Sequence, residues 1–207
     1  MNFPCWSSVL NRNLVASILV QVTQLLVGYK LISNIAPTIL ENQTVLLTIN
    51  SVSSLFSMII FKFIKRKKIL FLSVTLSALD LFFLSYSERG SDESVILLIL
   101  FLVIFNSTLA NLPTIYGVEV LEPGSIGLGF GLVGIVNFGA TFIIAWGEDS
   151  YIPSVGEGAF LVGYGISSLV LMMISLFIMS EPLEKVEFKE KHATEVKIEN
   201  AVTEMMS

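Results

Sequence analysis

The sequence is poor in charge, in cysteine and in histidine. Of its 207 residues, 14% are charged, where a soluble domain carries roughly 25%. That shortage excludes a soluble enzyme, a nucleic-acid binder and a disordered chain. The one cysteine, Cys5, has no partner for an intrachain disulfide and rules out a CxxC site. The one histidine, His192, stands in a charged stretch, so no metal centre built on Cys and His is expected. No nucleophile–base constellation and no phosphate loop is present, so neither an enzyme nor a cofactor is expected. The segment before Leu14 holds Pro4, Trp6 and Arg12 but no apolar core of a signal peptide.

Hydrophobic residues make up 54% of the chain, and the mean hydropathy is +0.80. Lipid is the solvent such a composition fits. Six spans of about 20 apolar residues would use roughly 120 positions and leave short loops. The apolar runs bear this out: Leu14 to Ala36, Thr44 to Ile64, Ile69 to Tyr86, Val95 to Val118, Ile126 to Trp146 and Ala159 to Met179. Runs of this length are membrane spans, and they lack the alternation of a β-barrel. The expected fold is therefore all-α, a polytopic membrane protein. It divides into an N-terminal segment (1–13), a six-helix bundle (14–180) and a charged tail (181–207). The segment Gly147 to Gly158, with Glu148 and Asp149, reads as an acidic loop.

Lysine and arginine set the expected orientation. An even number of spans puts both ends on one side. That side collects Arg12, the cluster Lys62, Lys65, Arg66, Lys67 and Lys68, and Lys185, Lys189, Lys191 and Lys197. The other side has Lys30 and Arg89. Both ends are expected in the cytoplasm of an integral protein of the plasma membrane. Asn42-Gln43-Thr44 matches a glycosylation sequon but hugs a span end, so the unmodified form is favoured.

Polar side chains inside spans are costly unless they face protein or water. Gln21, Gln24 and Gly28 share a helical face. Asn50 lies in the second run, Asn106 and Thr114 in the fourth, Asn137 and Thr141 in the fifth. Amides and hydroxyls both donate and accept, which suits a small neutral polyhydroxy solute. They also join helix to helix in many bundles, and the residue types alone favour that second reading. Asp80 is either a coupling carboxylate or, the preferred reading, a residue near the outer interface. Pro113 should bend the fourth span. Gly127, Gly131 and Gly134 fit close helix packing.

In this order the motifs resemble the C-terminal half, helices seven to twelve, of a sugar porter. That is a facilitative-glucose-transporter-like member of the major facilitator superfamily. Arg12 precedes Gln21-x-x-Gln24-Leu25-x-x-Gly28, similar to the family's QxxQQxxG. Asn50 is followed at the family's offset by the basic loop Lys62 to Lys67. Pro113 is followed by Glu119, then by a glycine-rich span with Asn137-Phe138. The resemblance implies that Gln21, Gln24, Asn50, Asn106, Thr114, Asn137 and Thr141 line a sugar site. It also implies that Arg66, Lys67 and Glu119 latch a cytoplasmic gate. Leu25, Lys30, Lys62, Lys65 and Ile126 depart from the pattern, and Glu181 alone hints at the terminal motif. Lys30, where the family has an asparagine of the site, fits ordinary hexose binding poorly unless it snorkels outward.

The family's halves are parallel repeats that rock about a substrate between them. Half of that plan cannot alternate access alone. One expectation is a carrier of a sugar such as a hexose, or of a similar small solute, completed by a homodimer or a second six-helix partner. Another is a non-transporting membrane protein that binds a full-length carrier. A third is a truncated fragment of a carrier whose other half is encoded upstream.

Overall fold

Hydrocarbon offers the backbone no hydrogen-bond partner, so a spanning segment must satisfy its amides internally. The computed structural model describes residues 12–40, 43–88, 90–121 and 126–179, and among them it contains helices and no strand. Six stretches are long and apolar enough to cross a membrane: Arg12–Leu40, Gln43–Phe63, Arg66–Tyr86, Asp92–Val120, Ile126–Val155 and Glu157–Ile178. They are the first to sixth spans below. The all-α, six-span fold is the one the sequence predicts, and it is half a major facilitator fold. Cys5, Asn42, Arg89, Glu181 and His192 lie outside the described residues, as does most of both terminal segments.

Two spans are interrupted where the sequence shows one run. The first consists of Arg12–Leu26 and Tyr29–Leu40, divided at Gly28. Gly28 has φ +81°, a conformation that L side chains rarely adopt. The fourth consists of Asp92–Ile104, a π-turn Phe105–Leu109 and Leu112–Val120. Pro113 has no amide to give the carbonyl one turn back. The helix widens before it, and Ala110 N–H reaches back to Phe105 O at 2.9 Å. Side chains take up nearby carbonyls: Asn106 Nδ2 donates to Leu102 O at 2.8 Å, and Ser107 Oγ to Ile104 O at 3.2 Å.

The third and sixth spans form the most closely packed pair, and the first packs against the sixth, the fourth and the fifth. Leu70, Val74 and Leu81 on the third span are fully buried, as are Ala16 and Val20 on the first. Small residues let backbones approach: a Cβ at Gly165 would lie 3.5 Å from Ala78 O, and Ser168 and Ser175 are fully buried. The second and fifth spans are the least covered. Phe138 and Phe142 of the fifth are 77% and 73% exposed, so its outer face has no protein neighbour among the described residues.

Two acids are buried in the bundle. Residues 147–155 are not a loop, because the fifth helix runs on to Val155 and ends at Gly156, φ +88°. Charge at Glu148 and Asp149 marks a polar position on a helix here, and the backbone break comes at the glycine. Glu148 is buried and accepts a hydrogen bond from Tyr164 Oη at 2.7 Å. Asp80 is 3% exposed, on the face of the third span that carries Ser73, Ser77 and Leu84 into the bundle. It is buried against the bundle, six residues before the end of the span at Tyr86. Neither of its carboxylate oxygens, nor Ser77 Oγ, has a hydrogen-bond partner among the described residues.

Gly28 and Gly90 make a matched test of backbone freedom. Both have positive φ, but a Cβ at Gly28 would meet the Tyr164 ring at 3.1 Å, whereas nothing lies within 4 Å at Gly90. Gly28→Ala should lower stability by about 1–3 kcal/mol. Gly90→Asn should change it by less than about 0.5 kcal/mol. Thermal unfolding of the detergent-solubilised chain checks both, and equal losses would contradict the assignment of Gly28 as the strained break.

Candidate functional site

The polar residues of the first, fourth and fifth spans meet at one cavity of about 480 Å³. Its wall contains Gln21, Gln24, Asn106, Thr114, Asn137 and Thr141, together with Leu25, Tyr29, Lys30, Ser33, Phe105, Ala110 and Ile144. Six of the seven residues expected at a solute site therefore share one wall. The seventh, Asn50, stands behind it: Asn106 Nδ2 donates to Asn50 Oδ1 at 2.9 Å and so ties the second span to the fourth.

The amides are joined to one another. Gln21 Nε2 donates to Gln24 Oε1 at 2.8 Å and to Asn137 Oδ1 at 3.0 Å, linking the first span to the fifth. Gln24 Nε2 donates to Ala110 O at 3.2 Å. That carbonyl lies just past the π-turn, where a regular helix would be interrupted by Pro113. The same groups thus hold helices together and face a cavity, so the two roles weighed for them are not exclusive. An amide has more donor and acceptor positions than these bonds use, which leaves capacity for a solute.

Lack of contrast hid the aromatic and aliphatic part of the wall. Tyr29 and Phe105 stack with ring centroids 4.2 Å apart and planes within 8°. Tyr29 follows the break at Gly28, and Phe105 opens the π-turn. An aromatic residue in an apolar run carries no sequence signal of a site, and neither does Ile144. Ser33, one turn after Lys30, had a weak signal as a polar residue on that face. Lys30 is exposed and also borders the cavity.

A second polar cluster joins three spans at one end of the bundle. Arg66, at the start of the third span, donates Nε to Glu119 Oε2 at 2.9 Å and Oε1 at 3.1 Å. Its Nη2 also contacts Glu119 Oε1 and its Nη1 contacts Phe61 O. The fork thereby reaches the fourth span and the last turn of the second. The side chains are 16% and 28% exposed, so water screens the pair incompletely. Lys67 is not part of this fork; it borders a shallow apolar depression with Lys68, Phe71 and Leu72.

The family model described as "Sugar (and other) transporter" matches residues 4–194. The chain belongs to that family. Its members are transporters and not enzymes, and family membership brings sugar or related solute transport across a lipid bilayer. No curated protein matches the chain.

Arg66 and Glu119 can be tested as a unit. A double-mutant cycle with Arg66→Gln and Glu119→Gln should give a coupling of about 1–3 kcal/mol, the range for hydrogen bonds to charged groups. Arg66→Lys should lose much of it, because an ammonium cannot reproduce the fork. Unfolding of the purified chain in a denaturant series reads the coupling, and a value near zero would reduce the pair to a surface contact.

Proposed function

We propose that this chain carries a sugar or a similar small polyhydroxy solute by alternating access, as one six-helix half of a two-half carrier. The observation that supports it is the convergence of Gln21, Gln24, Asn106 and Asn137 on one 480 Å³ cavity from three spans. Asn50 supports the wall from a fourth span. Amides that already brace each other are held in fixed orientations, so a solute meets prepared hydrogen-bond partners. Thr114 and Thr141 add hydroxyls to the same surface.

The poorly covered second and fifth spans fit a second six-helix unit, supplied by a second copy or by another polypeptide segment. Transport is then the rocking of one half against the other. Arg66 and Glu119 serve as a latch that ties the ends of three spans in one state and releases them in the other. Lys67, in the first turn of the third span, contributes charge to the same basic cluster. With the cluster Lys62 to Lys68 on the cytoplasmic side, both ends of the chain are cytoplasmic, and the plasma membrane is the site of action.

Uptake of labelled hexose into vesicles reconstituted with the chain, alone and with a co-expressed carrier half, tests the reading. Gln24→Leu and Asn137→Leu should each reduce uptake by roughly 10-fold or more, the cost of leaving a solute hydroxyl unpaired. Surface abundance should not fall. Uptake that is unaffected by both changes would remove these amides from the solute site. No uptake in any pairing, with recovery of a crosslinked full-length carrier, would favour a non-transporting partner.

A further inference from the structure

Lys30 is out of place in a cavity built for a neutral solute. It lies some 15 Å of helix before the span end at Leu40, at a rise of about 1.5 Å per residue. Lys30 is exposed and stands in the first turn of Tyr29–Leu40, just after the break at Gly28. It borders the same cavity as the amides. No Asp or Glu is part of that wall among the described residues. The acid whose field reaches Lys30 is Glu148. Its carboxylate accepts the Tyr164 hydroxyl at 2.7 Å, and no ion pair joins it to Lys30. Among the described residues the ammonium has no hydrogen-bond acceptor.

An exposed ammonium on the wall of a solute cavity draws an anion to it. The wall itself supplies none, while Ser33, one turn along, adds a hydroxyl beside it. We propose that the solute carries a carboxylate as well as hydroxyls, a sugar acid rather than a neutral sugar, and that Lys30 pairs with that carboxylate while Gln21, Gln24 and Asn137 bind its hydroxyls. This rests on the solute-cavity reading above and departs from it in the charge of the solute.

Calorimetric titration of the chain in lipid nanodiscs with D-glucuronate and D-glucose separates the two ideas. Glucuronate should bind tighter than glucose by roughly 10-fold or more, the worth of one charge-assisted hydrogen bond. Lys30→Gln should bring the ratio of the two affinities towards one, and Lys30→Arg should keep most of it. Melting temperature and helical circular dichroism report whether each variant remains folded. Equal binding of both solutes by the unmodified chain, or a ratio that survives Lys30→Gln, would overturn the sugar-acid proposal and leave the cavity reading intact. Binding of neither solute, by the chain alone or with a co-expressed carrier half, would overturn both.

Discussion

Hydrocarbon takes away two things that water gives a soluble fold. It satisfies no backbone amide, and it gives little reward for burying one apolar side chain against another. The first constraint makes every described span helical. The second moves the work of holding spans together to close contacts between small residues and to polar bonds between helices. Gly165 against Ala78 and the buried Ser168 are of the first kind. Thr23 and Ser175, 3.1 Å apart, join the first span to the sixth. Asn111 Nδ2 donates to Ser57 Oγ at 3.0 Å and joins the fourth to the second. Arg12, whose guanidinium donates to Ile178 O at 3.1 Å and Phe177 O at 3.2 Å, caps the last turn of the sixth.

A bundle joined by amides has a consequence for function. Groups placed to bond between helices are also able to bond a solute where a helix retreats and leaves space. Gln21 and Gln24 do both: each is tied to a neighbouring span, and each borders the cavity. Bonding between helices and lining of the cavity therefore fall to the same residues in this wall. Asn50 and Asn106 mark the structural end of the range, since their mutual bond braces the second span behind the wall.

Polar residues were legible in the sequence because an apolar run gives them contrast. Gln24, Thr114 and Asn137 stand out for that reason, and the fold places them together. Tyr29, Phe105 and Ile144 had no such contrast, although they border the same cavity. Charge misled where it was taken for a boundary. Glu148 lies on a continuing helix, and the true break at Gly156 is a matter of backbone conformation. For Asp80, distance along the chain from Tyr86 speaks to depth, while the face it shares with Ser73 and Ser77 decides that it is buried. Pro113 was visible as a bend. The π-turn it enforces was not, because the missing amide says where a carbonyl is orphaned and not how the helix rewinds to accommodate it.

The two backbone irregularities are linked, and the link lies at the cavity. The first span breaks at Gly28 and the fourth widens at Phe105–Leu109. The residues at these two places, Tyr29 and Phe105, stack at 4.2 Å. Irregular backbone is tolerated at this depth where it is buried in protein or lines a cavity, and both breaks meet that condition. Tyr164 packs on Gly28 from the other side and holds Glu148 through its hydroxyl. A rotation about the Gly28 break would thus displace the Tyr29–Phe105 stack on one side and the Tyr164–Glu148 bond on the other. The break also separates Gln24, before it, from Lys30, after it. The backbone conformation at Gly28 therefore sets how far these amides stand from Lys30 along the cavity wall.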